Sequence, residues 1–365
     1  MSGILSLFLF RNRSIQAVAV TTVTANFIYS DTMMNKPKFE QVYDFENIYQ
    51  SAKEVLSGKR FLPHELYLSY NLESILINIQ NNLIWRTYEP SPYSNFYVHD
   101  PKLRLISAPG LIDRIVQTAV CRVIEPYIDS RLDFDSYACR NGKGTLKAAE
   151  RCAHFINRPD CKHYLYFDIR KFFESVPIFK LEEIYKNFVT DDEGILWLLH
   201  KIFMNECNGV GLKKGCRTSQ LSANIYLNEL DFYLRHNLHC KHFEHYMDDY
   251  LIFDSDLRRL EELKYEIPEF LKTLYLGLNE KTRIGESAAG ICFVGYKIMP
   301  DYKLVKKITM NRQKRDVKAW VNGRIADDEL YAKLASRYGH CQGTASYKWI
   351  SEELLKILHE KLTNR

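Results

Sequence analysis

Two aspartates set side by side inside an apolar run constrain this 365-residue chain more than any other feature. The run is Phe243-Glu244-His245-Tyr246-Met247-Asp248-Asp249-Tyr250-Leu251-Ile252-Phe253. Apolar and aromatic residues at alternating positions predict two short strands, with Met-Asp-Asp as their tight turn. Folding does not ask for adjacent carboxylates there, because like charges repel and must be solvated or neutralised. A divalent cation neutralises them well, since Mg²⁺ prefers carboxylate oxygens and substrate phosphates. An isolated Asp-Asp would read as a solvated hairpin turn. A third carboxylate in a similar setting, 80 residues upstream, argues for a cation instead.

That carboxylate is Asp168, closing His163-Tyr164-Leu165-Tyr166-Phe167-Asp168-Ile169. The run predicts a buried strand, on which an Asp is costly unless paired or metal-bound. Arg170-Lys171-Phe172-Phe173-Glu174-Ser175-Val176-Pro177 follows. In these residues the chain resembles the palm of reverse transcriptases, where a D-x4-F-x-S-V-P block precedes a Y-x-D-D hairpin. The resemblance implies an α+β fold, a right-hand polymerase with fingers, an antiparallel palm and a small helical thumb. It also implies a site of two Mg²⁺ ions, with Mn²⁺ as a substitute, held by Asp168 and Asp248. Asp249 assists, and the Ile169 carbonyl completes the triphosphate-side ion. One ion would activate the primer 3′-hydroxyl, and the other would escort the triphosphate and the leaving pyrophosphate.

With 46% hydrophobic residues the chain can bury a large core spread over two or three subdomains. A net charge of +5 does not by itself imply nucleic-acid binding. The cations are unevenly placed, however. Lys303, Lys306, Lys307, Arg312, Lys314, Arg315, Lys318 and Arg324 share one stretch, opposed there by Asp301 and Asp316. Such a cluster is a solvated face in an ordinary protein and a phosphate track in a polymerase. Nine cysteines without a C-x-x-C pair give no zinc module and fit reduced cytosolic thiols. Residues 1–33 read as an extension ahead of a true start at Met33 or Met34. Their apolar runs are too short or too interrupted to span a bilayer. No membrane partner and a cytoplasmic location are therefore expected.

Phe45 to Leu56 and Leu72 to Leu83 carry helical periodicity. Asp100-Pro101 marks the turn of a hairpin whose second strand offers Lys102 and Arg104 on one face. Two cations there suit a triphosphate, or equally a charged edge strand. A helix opens at Leu111 and ends near Ile124-Glu125-Pro126, with Arg114 free to pair with Asp113 or Glu125. These blocks resemble the family's fingers, and Ser136-Tyr137-Ala138-Cys139-Arg140-Asn141-Gly142-Lys143-Gly144 resembles its next motif. That loop could cradle phosphate or simply turn into a helix. Further helices are expected at 195–204, 219–238 (core stripe Ala223, Leu227, Leu230, Leu234) and 257–276, before a hairpin at 290–298. The resulting division is fingers over 34–160, palm over 161–300, and thumb with tail over 301–365.

Within the family, the loop Lys214-Gly215-Cys216-Arg217-Thr218-Ser219-Gln220 discriminates. Ending in S-Q, it resembles the reverse transcriptases of diversity-generating retroelements, although Lys214 stands where that group has an aliphatic residue. The antiphage-defence or abortive-infection type, with template-independent synthesis as a variant, is the second reading. The resemblance further implies that Lys102 and Arg104 hold the triphosphate. Phe173 would bar a 2′-hydroxyl, and Ser219 and Gln220 would line the nucleotide and template base. Tyr246 and Met247 would touch the primer end, while Lys314 and Arg315 would follow nucleic acid. Implied partners are an RNA template, a DNA or RNA primer, dNTPs, a structured non-coding RNA and a small basic accessory protein.

Overall fold

The computed structural model describes residues 35–57, 63–99 and 103–330, with scattered positions as far as 356. The extension with Met33 and Met34, the Asp100-Pro101 turn, Lys102 and most of the C-terminal helix lie outside the described residues.

Helices α1 (Phe39–Tyr43), α2 (Phe45–Leu56) and α3 (Pro63–Ile84) lead into a hairpin of β1 (Ser94–His99) and β2 (Leu103–Ala108). Helices α4 (Leu111–Asp129) and α5 (Thr145–Ile156) follow, then β3 (His163–Asp168), α6 (Phe172–Ser175), α7 (Ile178–Phe188), α8 (Glu193–Met204) and α9 (Arg217–Phe232). After a π-helical turn at Tyr233–Asn237 come β4 (His242–Tyr246), β5 (Asp249–Asp254), α10 (Leu257–Thr273) and β6 (Arg283–Glu286). Strands β7 (Ile291–Phe293), β8 (Tyr296–Ile298) and β9 (Lys303–Val305) and helix α11 (Lys307–Val321) complete the described elements.

The central sheet is antiparallel, in the order β4-β5-β3-β6. Because side chains alternate across a strand, each strand feeds two cores. Phe243, Leu165, Phe167, Tyr250 and Ile252 face a large core shared with helices α1, α2, α4, α7, α9 and α10. Ala223, Leu227, Leu230 and Leu234 supply the predicted α9 and π-turn stripe, each fully buried. Tyr164, Leu251 and Phe253 face a second core built with α5, the β7–β9 sheet and α11. Each large apolar side chain buried in this way contributes about 1.5–3 kcal/mol. The second core stops short of the strand ends that carry Asp168 and Asp249, so the sheet is sandwiched at one end and leaves the aspartates half-exposed at the other.

Helix boundaries differ locally from expectation. Helix α4 runs three residues past Pro126, because a proline in the last turn removes one amide bond without blocking the next carbonyls. Helix α9 begins at Arg217, two residues before Ser219. Of the two readings of the Gly142–Gly144 loop, the turn into a helix is the one observed. Gly144 caps α5 at φ +108°, a conformation open mainly to glycine. The loop's cations serve the fold: Arg140 donates to Asp129 and to the Asp133 and Ser136 carbonyls, and Lys143 donates to the Phe134 carbonyl.

Glu244 on β4 is fully buried, and neither carboxylate oxygen has a hydrogen-bond partner. Burial, followed by the charge of Asp135, raises its pKa well above the ordinary glutamate value. The folded state therefore holds a proton that the unfolded chain releases near pH 4.5. This stabilisation is complete below that pH and is lost as pH rises through the folded pKa. Glu244→Gln should flatten the decline, giving a higher melting temperature than the parent at pH 8 and little difference at pH 4. Parallel stability–pH curves for the two proteins would refute the assignment.

Candidate active site

The catalytic candidates are assembled by strand register. Asp168 ends β3 directly opposite Asp249, the first residue of β5, which in turn sits opposite Tyr246, the last residue of β4. The β4–β5 connection is thus the two residues Met247 and Asp248, a length that demands left-handed backbone. Met247 supplies it at φ 53° without being glycine, a conformation that costs about 1–2 kcal/mol. Strain of this kind persists only where surrounding bonds impose it.

Those bonds are present. The Ile169 amide donates to the Asp248 carbonyl at 3.1 Å, tying the turn to the end of β3. Asn279 clasps the same end from the other side, its amide donating to the Asp168 carbonyl and its side chain to Asp168 Oδ2 at 3.1 Å. Ile169 and Leu278 form an antiparallel bridge in which Arg170 donates to Gly277. In such a non-hydrogen-bonded pair the Ile169 N–H and C=O both point away from Leu278, toward the Asp248 side. The carbonyl predicted as a metal ligand is therefore aimed toward the turn.

Asp249 has a different setting. Tyr166, two residues before Asp168 on the same face, donates its hydroxyl to Asp249 Oδ1 at 2.5 Å, and the Arg283 guanidinium lies 4.2 Å from the Tyr166 ring. Sequence reading missed Tyr166, although the period-two spacing Tyr166–Asp168 places both on one face.

Burial raises Asp248 to about 7, and the charges of Asp168 and Asp249 add to the effect. Asp168 is raised too, by burial and then by Asp249. Burial and mutual repulsion thus leave a proton on this crowded pair of carboxylates. A cation would replace that proton with a stronger counter-charge. The donor set, carboxylate oxygens plus one carbonyl, suits Mg²⁺.

Among the described residues, the trio with donor atoms within 4.8 Å of one another is Asp160, Cys161 and His242, not the three aspartates. Those residues sit at the opposite end of β3 and β4, where Arg158 forks onto both Asp160 oxygens at 2.9 Å and already neutralises them.

The other predicted residues fall as follows. Phe172 is buried core, while Phe173 is half-buried at the rim. Arg104 is exposed on β2 opposite Val98, in a hairpin whose first strand is exposed throughout. Gln220 is exposed, whereas Ser219 is buried in the first turn of α9 beside Cys216. Tyr246 and Met247 are half-buried. Lys314 and Arg315 are exposed on α11, but Lys303 leaves the basic stretch, lying 4.0 Å from Glu150. Arg114 takes neither expected partner: Asp113 accepts from Tyr88 and Ser91, and Glu125 pairs with Arg217. Arg114 Nε is instead buried without a partner beside a cavity of about 320 Å³ lined by Gln117, Thr118 and Arg217. Lys214 is half-buried. Its ammonium pairs with Glu174 at 2.6 Å and lies 5.8 Å from the Phe173 ring centre.

An antiparallel sheet presenting three carboxylates at one uncovered edge, backed by helices, defines a polymerase palm. Residues 98–298, more than half of the chain, match the family model described as reverse transcriptase (RNA-dependent DNA polymerase), and the chain belongs to that family. A curated relative, Protein YkfC of Escherichia coli (strain K12), is 26% identical over 170 residues. The match takes in 43% of this chain and 44% of that protein, so it spans less than half the relative's length. Among solved structures, a Candida tropicalis telomerase truncated from its C-terminal domain aligns with TM-score 0.48 and 15% identity, covering 64% of this chain and 60% of that one. A chain of a Cas6-RT-Cas1–Cas2 complex aligns with TM-score 0.38 and 20% identity, covering 64% and 26%. Among the described residues, no helix is long and apolar enough to cross a membrane.

Proposed function

We propose that this protein is an RNA-directed DNA polymerase that extends a DNA or RNA primer with dNTPs on an RNA template. The observation carrying the reading is the cross-strand row Asp168–Asp249 with Asp248 at the adjoining turn, held by the Ile169 and Asn279 bonds. Asp168, Asp248 and the Ile169 carbonyl are the ligands for two divalent ions, with Asp249 anchored beside them by Tyr166. Bound there, the ions supply Lewis acidity at the primer 3′-hydroxyl and charge neutralisation at the leaving pyrophosphate. Phe173 at the rim meets the sugar, and Arg104 on the hairpin, together with Lys102, meets the triphosphate. Gln220, with Ser219 behind it, backs the base pair. Tyr246 and Met247 support the primer end, and Lys314 and Arg315 follow its duplex from a thumb at 301–365, beyond fingers at 34–160 and a palm at 161–300.

Within the family, the diversity-generating retroelement type fits best, supported by Ser219-Gln220 at the start of α9. That type implies a structured RNA and a small basic accessory protein as partners. Lys214, committed to Glu174, favours the second reading, an antiphage-defence or abortive-infection enzyme, and a cytoplasmic location goes with either.

Purified protein given primer, dNTPs, Mg²⁺ and an RNA template should make complementary DNA, and omitting the template should stop it. Mg²⁺ alone should raise the melting temperature by several degrees, because the ion replaces a proton held by crowded carboxylates. Sequenced product with errors concentrated at template adenines supports the retroelement type. Synthesis that persists without template moves the protein to the second reading. No synthesis and no Mg²⁺ stabilisation together would sink the polymerase assignment.

A further inference from the structure

One residue row behind Asp168, Asp249 and Tyr246, on the opposite face of the sheet, stand Phe167, Tyr250 and His245. They are cross-strand partners on β3, β5 and β4. Their rings form one stack: Phe167 on Tyr250 at 5.0 Å and Tyr250 on His245 at 4.5 Å, each pair within 6° of parallel. His245 is fully buried, and both ring nitrogens are engaged. Nδ1 lies 2.9 Å from the Met247 carbonyl, and Nε2 lies 2.9 Å from Asp231 Oδ2 on α9. The second oxygen of Asp231 accepts the Tyr250 hydroxyl at 2.9 Å.

Proton counting fixes one arm of this cluster. A backbone carbonyl only accepts, so Nδ1 carries a hydrogen and donates it to Met247. One further proton lies between Nε2 and Asp231 Oδ2, so the two buried groups satisfy each other; Asp231 at 1% exposure would be costly unpaired. The Nδ1 arm ends on the carbonyl of Met247, the residue held in the left-handed conformation that orients Asp248.

We propose that His245 is the positioning residue of the metal-binding turn: its Nδ1–H holds the Met247 carbonyl, while Asp231 on α9, itself held by the Tyr250 hydroxyl from β5, locks the ring. The assignment rests on the polymerase reading, because it concerns the placement of Asp248 in that reaction. Its chemical consequence follows from geometry. A displacement of about 1 Å at a reacting centre lowers rates roughly a hundredfold without abolishing binding. Loss of the Nδ1 arm should therefore lower kcat and leave KM for dNTP near its parent value.

Two substitutions separate the arms. Asparagine places its amide nitrogen where Nδ1 stands and cannot reach Asp231, whereas glutamine reaches the Nε2 position and abandons Met247. His245→Gln should lose kcat roughly ten- to hundredfold more than His245→Asn. Melting temperatures of both should fall, because each breaks a buried pair. A role confined to stability predicts the reverse, with losses that track melting temperature and not the surviving arm. Equal kcat losses in the two variants overturn the proposal. Tyr250→Phe keeps the ring and removes one bond to Asp231, and serves if either histidine variant fails to fold. It should lower kcat severalfold at unchanged KM, and an unchanged kcat likewise overturns the proposal. An inactive parent protein would defeat the polymerase reading instead, so the two failures are distinct.

Discussion

Asp248→Asn is expected to lower RNA-templated DNA synthesis about a thousandfold or more, while the protein remains folded and gains thermal stability in the absence of metal. The size follows from the several kcal/mol that two-metal catalysis draws from its shared ligand, each 1.36 kcal/mol being tenfold in rate. The gain in stability follows from charge. Asp248 is held up at about 7 chiefly by burial, and next by the like charges of Asp168 and Asp249. A neutral amide of the same shape removes that repulsion. Asp249→Asn should be milder, because Asp249 Oδ1 is already committed to Tyr166. Primer extension and thermal melting on the same preparations decide it. Near-parental synthesis by Asp248→Asn, or a stability gain from Mg²⁺ that survives the substitution, would falsify the metal assignment.

The two adjacent aspartates and Asp168 were legible in the sequence because carboxylates within apolar strand patterns contradict ordinary folding. The pattern fixes strand positions and hence a register, and the register alone brings Asp168 opposite Asp249. The residues that hold the turn in place were not legible. Asp231, Asn279 and Tyr166 lie on three different elements, and nothing in local periodicity says which buried polar groups meet. Glu244 shows the same limit from the other side. In the sequence it is one polar position of an alternating strand, but the strand is covered on both faces, so alternation does not leave it solvated. Arg140 and Lys143 resembled a phosphate site for a related reason. A glycine-rich turn rich in cations is the same string whether its donors meet a ligand or neighbouring carbonyls. Lys214 likewise stood out only as a lysine in an aliphatic position, and its partner Glu174 lies 40 residues earlier.

Phe173→Ala is expected to admit ribonucleotides, lowering the preference for dNTP over rNTP by roughly ten- to hundredfold, the range that loss of a close apolar contact produces. Phe172 takes the core position, and Phe173 remains at the rim, its carbonyl accepting the Leu212 amide at 2.6 Å from the loop ahead of α9. The Lys214–Glu174 pair closes the same loop over the ring, and the Lys214 carbonyl accepts the Ser107 amide of β2. Hairpin, loop and gate are thus linked through one residue. The magnitude of that link is small. With side chains 34% and 56% exposed, the ion pair is worth about 1 kcal/mol or less. Lys214→Ile should therefore shift sugar selection and base fidelity only severalfold, far less than Phe173→Ala. Single-nucleotide incorporation of dNTP and rNTP by parent and both variants, with sequencing of the products, measures each effect on one template. Unchanged discrimination in Phe173→Ala would return that ring to core packing. A Lys214→Ile effect as large as that of Phe173→Ala would mean that Lys214 acts on the template directly and not through Glu174.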